Sequence, residues 1–303
     1  MNALKRIYKE LTSLHWEIGF LDNTLDGIVN DDELKLTLVT HDYPDSWFAD
    51  PFILEVTDDT IIVLVEEVTK KNHKGRISKL VVDRTSNHVI SKKIILERPG
   101  HLSFPIIYRK DNKIYLYPEN SEDGSLNIYE YNPQNDSMML VHELSDKPLT
   151  DAVITELFGK PQLFTTEASR ANGFQLDQYE WNVEKQKFDY VTSSIFKEHI
   201  ARMAGYFFTV NGRVYRPAQE SNTNYGHGIS LQEVSYKNGT WEFNEVRRMT
   251  SPHHKLKRAF HTLNSYKGVI VVDVLDKRHP FANSVIGFLV APIKLFRNCL
   301  RKI

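Results

Sequence analysis

The chain has 303 residues, with 38 Lys and Arg against 39 Asp and Glu, a formal charge of −1 and a hydrophobic share of 41%. That is the balance of a folded globular protein, not of a disordered one, and it gives no general attraction to nucleic acid. A single cysteine, Cys299, excludes an intrachain disulfide and a zinc knuckle, no apolar run is long enough for a membrane span, and the lack of a disulfide framework or signal-peptide core points to the cytoplasm.

In chain order, Leu4, Ile7, Leu11 and Leu14 fall on one face at helical spacing. They predict a short amphipathic helix over residues 1–20, with Trp16 to Phe20 leading into the body. The body, residues 21–276, is expected to be all-β. From Trp47 onward it consists of short apolar or alternating runs such as Ile61–Val65, Ile114–Tyr117, Gln162–Thr165, Val214–Arg216 and Val269–Val272. Polar turns such as Thr57-Asp58-Asp59, Lys110-Asp111-Asn112 and Asn211-Gly212 precede these runs, which is the pattern of hairpins. Sixteen Phe, fourteen Tyr and four Trp add to the strand bias.

The hairpins repeat. Aligned by their turns, Asp50, Ser103, Asp151, Ala204 and Thr262 take comparable places, at steps of 53, 48, 53 and 58 residues. In four units a second position follows sixteen residues on: Glu66, Glu119, Glu167 and Glu220. A period near fifty with several strands per unit is the signature of a propeller, and five units fit the length. An evenly spaced antiparallel sandwich is the alternative. In a propeller the inner strands line one axis, so the residues that open them converge from distant parts of the chain.

Several motifs then become candidates for chemistry. Trp47-Phe48-Ala49-Asp50-Pro51-Phe52 sets a carboxylate before a proline that holds it extended at the start of a strand. His101-Leu102-Ser103-Phe104-Pro105 opens the second unit, and Glu119 follows its apolar strand. Glu66 and Glu67 end the equivalent strand of the first unit, so one of them should face as Glu119 does, and Glu67 is taken as the candidate. Paired carboxylates in a cleft suit glycosyl chemistry; for any single one, a solvated strand end is the safer reading. The fourth unit brings Arg202, Arg216, Gln219 and Tyr225, and the fifth His261, Asn264 and Asp273. Arginine suits bidentate binding of phosphate or carboxylate, while inter-blade salt bridging is the competing use. No Walker loop, dinucleotide fingerprint or Gly-x-Ser-x-Gly elbow occurs, and the adjacent His253 and His254 lack ligand spacing, so neither cofactor nor metal is expected. Residues 281–303 carry many apolar side chains with Lys294, Arg297, Arg301, Lys302 and no acid. Such a basic amphipathic tail, bent at Pro292, suits a membrane interface or a helix packed on the body.

Taken together, Trp47–Phe52, Val65-Glu66-Glu67, Gly75-Arg76-Ile77, His101–Pro105, Tyr117–Asn120, Arg216–Gln219 with Asn224-Tyr225-Gly226, and His261–Asn264 resemble, in order, the N-terminal domain of glucosamine inositolphosphorylceramide transferases. That domain also occurs alone in bacterial proteins linked to surface polysaccharides. The resemblance runs from about Trp16 to Asp276. It implies a five-bladed β-propeller similar to glycoside hydrolase family 43, whose acids open successive inner strands. On that reading Asp50 sits where such enzymes place a catalytic carboxylate, with Glu119 and Asp151 in support. Glu67, His101, Ser103, Arg202, Arg216, Gln219, Tyr225, His261 and Asn264 would bind substrate, the two arginines holding a donor phosphate or an acidic sugar. The expected function is glycosyl transfer in surface polysaccharide or glycolipid synthesis, from a nucleotide- or phosphate-activated donor to a glycan or glycolipid acceptor. The protein would be cytoplasmic, with peripheral membrane contact through residues 281–303. A family 43-type hydrolase and a non-catalytic glycan-binding module are the alternatives.

Overall fold

A computed structural model describes residues 14–277. Twenty strands form five four-stranded antiparallel sheets, the blades of a five-bladed β-propeller. Blade I holds β3 (Ser46–Val56), β4 (Thr60–Thr69), β5 (Arg76–Asp83) and β6 (His88–Leu96). Blade II holds β7 (Ile107–Lys110), β8 (Lys113–Leu116), β9 (Leu126–Asn132) and β10 (Ser137–Ser145). Blade III holds β11 (Leu149–Thr155), β12 (Gln162–Glu167), β13 (Gln175–Asn182) and β14 (Lys187–Ile195). Blade IV holds β15 (Phe208–Val210), β16 (Arg213–Glu220), β17 (Gly228–Lys237) and β18 (Thr240–Thr250). Blade V is assembled from both ends of the chain: β19 (Leu263–Tyr266), β20 (Val269–Lys277), β1 (Leu14–Leu21) and β2 (Leu36–Leu38).

Each of the five apolar runs named above lies in the second strand of a blade. The turns before them show why the hairpins form. Asp111 and Asn112 have φ of 51° and 59°, and Asn211 and Gly212 have 50° and 76°. Two successive positive φ values give the turn whose twist matches that of the flanking strands.

Strand β1 closes the ring. It pairs antiparallel with β20 from Leu14↔Lys277 to Leu21↔Ile270, so Leu14 to Phe20 are extended where the helical spacing predicted helix. The alternation of buried Ile18 and Phe20 against the neighbouring blade wins over the weaker periodicity. The rest of the expected N-terminal helix, residues 1–13, and the basic tail, residues 281–303, lie outside the described residues. A short helix, α1 (Leu25–Val29), capped by the Thr24 hydroxyl, joins β1 to β2.

Around the axis, Phe52 of blade I packs edge-to-face on Phe104 at 4.9 Å and on Tyr206 at 5.3 Å. The Tyr206 hydroxyl donates to the Ile107 carbonyl at 2.6 Å. These rings plug the axis below a polar layer formed by the strand openings. Removing the clasp strand's contacts should loosen the whole ring: Ile18→Ala, at a position 2% exposed, is expected to cost about 2–4 kcal/mol in denaturant unfolding, with one cooperative transition retained.

Candidate active site

The inner strands open with an unusual backbone. Asp50, Phe104 and Asp151 have φ of 48°, 45° and 45°, and Gly205 has 154°. The ladder of β3 with β4 shifts register between Ala49 and Phe52, and that of β11 with β12 between Thr150 and Val153. The structural repeat is therefore Asp50, Phe104, Asp151 and Gly205, one residue later in blades II and IV than the sequence alignment placed it. At Gly205 a side chain is impossible, because a Cβ would lie 2.1 Å from the Leu263 carbonyl of blade V.

These bulges turn backbone N–H groups toward the axis, and acidic side chains of the preceding blade accept them. Asp273 accepts from Asp50 N–H at 3.0 Å, Asp50 from Phe104 N–H at 3.0 Å, and Glu119 from Asp151 N–H at 3.2 Å. Asp50, Glu119 and Asp151 are thereby drawn into one hub, as the propeller reading required. The Asp151 carboxylate receives Gln219 Nε2 at 2.6 Å and the Arg202 Nε. Arg202 Nη2 lies 3.4 Å from Glu119, and its Nη1 donates to Asn172 at 3.2 Å. Its guanidinium sits over the Tyr225 ring, 5.3 Å from the centroid.

His261 bridges two acids. Its Nδ1 is 2.8 Å from the Asp273 carboxylate and its Nε2 3.6 Å from Asp50 Oδ1. Asp273 also accepts the N–H groups of His261, Thr262 and Asp50. So richly supplied an acceptor requires the ring proton on Nδ1, which leaves the Nε2 lone pair facing Asp50. Trp16 of β1 stacks on the imidazole at 4.1 Å, and Tyr225 meets it edge-on at 5.4 Å. Asp50, His261 and Asp273 lie close enough to share a cation. Asp273 is already committed to these N–H groups, however, and one Asp50 oxygen to Phe104, so the uncommitted ligands are Asp50 Oδ1 and His261 Nε2.

The electrostatics follow from burial. Asp50, 5% exposed, is pushed well above the usual carboxylate range by burial and by the charges of Glu66, Asp151 and Asp273, against the Phe104 N–H that favours ionisation. Burial and then Asp151 raise Glu119 to about 7, with Arg202 and the Ser121 hydroxyl opposing. Although burial disfavours its charge, Arg202 is held firmly cationic by Asp151, Tyr225 and Glu119. The hub thus holds two carboxyl groups that exchange protons above the ordinary range beside one fixed ion pair. Tyr225, 42% exposed, and Asn172, also exposed, are side chains through which this layer meets solvent.

Other expected residues sit elsewhere. Glu67 turns into blade I, where burial would raise it but Lys92, Ser78, Ser46 and Arg76 hold it down to about 2. Strand alternation sends its neighbour Glu66 toward the hub instead, 2.9 Å from His101 Nε2. His101 accepts the Gly75 N–H on Nδ1 at 3.0 Å, and the Glu66 hydrogen bond raises its pKa despite burial. Ser103 pairs through its backbone with Glu119. Asn264 spends its amide as a staple, taking Tyr206 N–H at 3.2 Å and giving to the Pro51 carbonyl at 3.0 Å. Arg216 is fully buried between Phe196 and Phe243, bonded to the carbonyls of Ile200 and Ala201. A phosphate-holding use of Arg216 is therefore corrected, since burial without a path to solvent makes it a brace for the segment that presents Arg202. Glu66 and Asp273, named in the sequence without a role, belong to this layer, and Trp16 joins it although nothing in the sequence marked it as a site residue. The sixteen-residue offset from Asp50 marked Glu66, and an acid inside the apolar run Val271 to Val274 marked Asp273.

Residues 35–280 match the family described as glucosamine inositolphosphorylceramide transferase 1, N-terminal. The chain belongs to this family. It is 29% identical over 205 residues to glucosamine inositolphosphorylceramide transferase 1 of Oryza sativa subsp. indica, covering 63% of this chain and 27% of that protein. To the Arabidopsis thaliana protein of the same name it is 28% identical over 203 residues, covering 63% and 26%. The chain thus spans about a quarter of the length of these curated relatives. Among solved structures it is similar to the RS223 β-xylosidase, with a TM-score of 0.55 and 10% identity over 78% of this chain and 93% of that one. A thermostable family-43 glycoside hydrolase gives 0.54 at 10% identity, over 81% and 90%. These likenesses establish the five-bladed fold shared by the family and the glycosidases.

The raised proton affinity of Glu119 has a thermodynamic sign. Between the ordinary carboxylate value and pH 7 the folded chain binds a proton there that the unfolded chain has released, so stability falls as pH rises through this window. Glu119→Gln is expected to flatten that fall and to be more stable than the parent at pH 8, measured by urea unfolding from pH 5 to 8. An unchanged pH slope contradicts a buried, proton-holding Glu119.

Proposed function

We propose that the hub transfers a sugar from a nucleotide- or phosphate-activated donor to a glycan or glycolipid acceptor, in surface polysaccharide or glycolipid assembly. The observation that carries this reading is the convergence of Asp50 and Glu119, both with raised proton affinity, around the Asp151–Arg202 pair. Glycosyl transfer to a hydroxyl needs a base to take the acceptor proton, and a base works best when its proton affinity lies near the working pH. Asp50 is the candidate base, with one oxygen held by the Phe104 N–H and Oδ1 facing His261 Nε2. When Asp50 takes a proton, the Nε2 lone pair 3.6 Å away is positioned to share it as the site tightens on a ligand. Glu119 is the second proton carrier. The Arg202 cation limits how far its proton affinity rises and favours negative charge developing on a departing group.

The family relationship to proteins named transferases supports this reading, and the arginine beside the acids favours transfer over hydrolysis. Were the donor a nucleotide sugar, the reaction would belong on the cytoplasmic side of a membrane. A non-catalytic glycan-binding or scaffolding module is the second reading, favoured by the aromatic plug of Phe52, Phe104 and Tyr206 and by the low exposure of the hub.

The test is incubation with a panel of nucleotide sugars and lipid-linked or oligosaccharide acceptors. Transfer is expected, and Asp50→Asn should lower it about 10²–10⁴-fold with the fold retained. Release of sugar from oligosaccharides without any donor would establish hydrolysis instead, and glycan binding unaffected by Asp50→Asn with no turnover would establish the scaffold.

A further inference from the structure

Between Glu245 and Asp273 lie 27 residues without an acid, carrying six Lys and Arg in a chain of net charge −1. Within this stretch the connection from β18 to β19 contains His253-His254-Lys255-Leu256-Lys257-Arg258. Arg247 and Arg248, on β18, are neutralised by Asp31, Glu198 and Glu245, and Lys267 by Glu55. Lys255, Lys257 and Arg258 are exposed, and their side chains form no ion pair among the described residues. The acid nearest in the hydrogen-bond pattern, Asp276, takes the backbone N–H of Lys257 at 3.0 Å.

The connection is anchored. Leu256 packs on the core of blades IV and V, and the N–H groups of Lys255 and Leu256 donate to His253 Nδ1 at 3.2 and 3.0 Å. Burial, His254 and Lys255 all lower the proton affinity of His253, which suits that acceptor role. With Leu256 turned inward, the flanking Lys255 and Lys257 stand outward. This is a fixed cationic ledge, built on backbone bonds that hold it in place.

Its position links it to the hub. The Arg258 carbonyl accepts Asn224 Nδ2 at 2.9 Å, next to Tyr225, and Phe260 N–H donates to the Gly226 carbonyl at 2.8 Å. At Gly226 (φ 58°) a Cβ would lie 2.6 Å from the His261 Cβ, so this approach tolerates only glycine. The ledge therefore borders Tyr225, an exposed edge of the hub. It also borders the root of the chain's basic end: Arg258 N–H donates to the Leu275 carbonyl at 3.0 Å, and residues 277–303 begin there without a single acid.

We propose that Lys255, Lys257 and Arg258 form a docking surface for the phosphate groups of an anionic lipid layer, which sets the hub's opening against the membrane. Phosphate is the chemistry that three unpaired cations in an acid-free stretch recognise. A lipid surface is favoured over a free phosphate ligand because the cations are exposed and splayed on a ledge, and because the basic, apolar-rich sequence of residues 281–303 follows from the same place. The inference rests on the transferase reading only for its purpose; docking itself needs no catalysis.

The experiment is sedimentation of the full chain with vesicles of phosphatidylcholine, with and without phosphatidylglycerol, over a range of salt. Binding that requires the anionic lipid and weakens with salt is expected. Charge reversal by Lys255→Glu, Lys257→Glu and Arg258→Glu together should weaken it on the order of a hundredfold or more. An equal reversal at Lys110, which ends β7, and at Lys160 and Lys185, in turns at the same far end of the blades, should leave it unchanged. The Asp50→Asn chain should sediment as the parent does, so that failure of docking and failure of catalysis are separate results. Parent-like binding by the ledge variant overturns the proposal. So does loss of pyrophosphate binding in that variant with vesicle binding intact, which would make the ledge a site for a soluble phosphate ligand.

Discussion

A chain of carboxylate-to-amide hydrogen bonds between neighbouring blades governs this molecule. Asp273 of blade V holds the Asp50 amide, Asp50 of blade I holds that of Phe104, and Glu119 of blade II holds that of Asp151. Gln219 and Arg202 of blade IV bond to Asp151 of blade III, and Asn264 of blade V takes the Tyr206 amide and reaches the Pro51 carbonyl. A bulged inner strand leaves amides without a ladder partner, and a buried amide must find one. The side chains that satisfy these amides are also the acids of the hub, so the fold's closure and the proposed chemistry use the same groups.

This double use accounts for the electrostatics. The ring brings Asp50, Glu119, Asp151 and Asp273 out of water, with Glu66 nearby, while the cations that meet them are Arg202 and, when protonated, His261. Acids in excess in a poorly solvated place retain protons. Asp151, paired with Arg202 and bonded by Gln219, adds to the proton affinity of Glu119 beside it.

The sequence made the radial order legible, because the hairpin turns, the apolar second strands and the offset from Asp50 to Glu66 all recur with one period. That logic brings Asp50, Glu119, Asp151 and His261 to one axis, and their contacts in the fold agree with it. What escaped it depends on local geometry that a period cannot convey. A single bulge moved the repeat from Ser103 to Phe104 and from Ala204 to Gly205. Strand alternation exchanged Glu67 for Glu66, and burial made Arg216 a brace and Asn264 a staple. Trp16 lay hidden because Leu4, Ile7, Leu11 and Leu14 imitate a helix, whereas pairing with β20 makes the segment from Leu14 a strand.

The most direct measurement is the pH dependence of backbone amide proton shifts of Asp151 and Phe104 by NMR. The account predicts that the Asp151 amide moves with a midpoint near 7, reporting Glu119 across 32 residues of sequence, and that Glu119→Gln abolishes this step. It predicts that the Phe104 amide follows Asp50 in the same way, with a midpoint above the ordinary carboxylate range. Amides that titrate at ordinary carboxylate values, or that ignore these substitutions, would show that the acids do not bind the neighbouring blades and would contradict the hub.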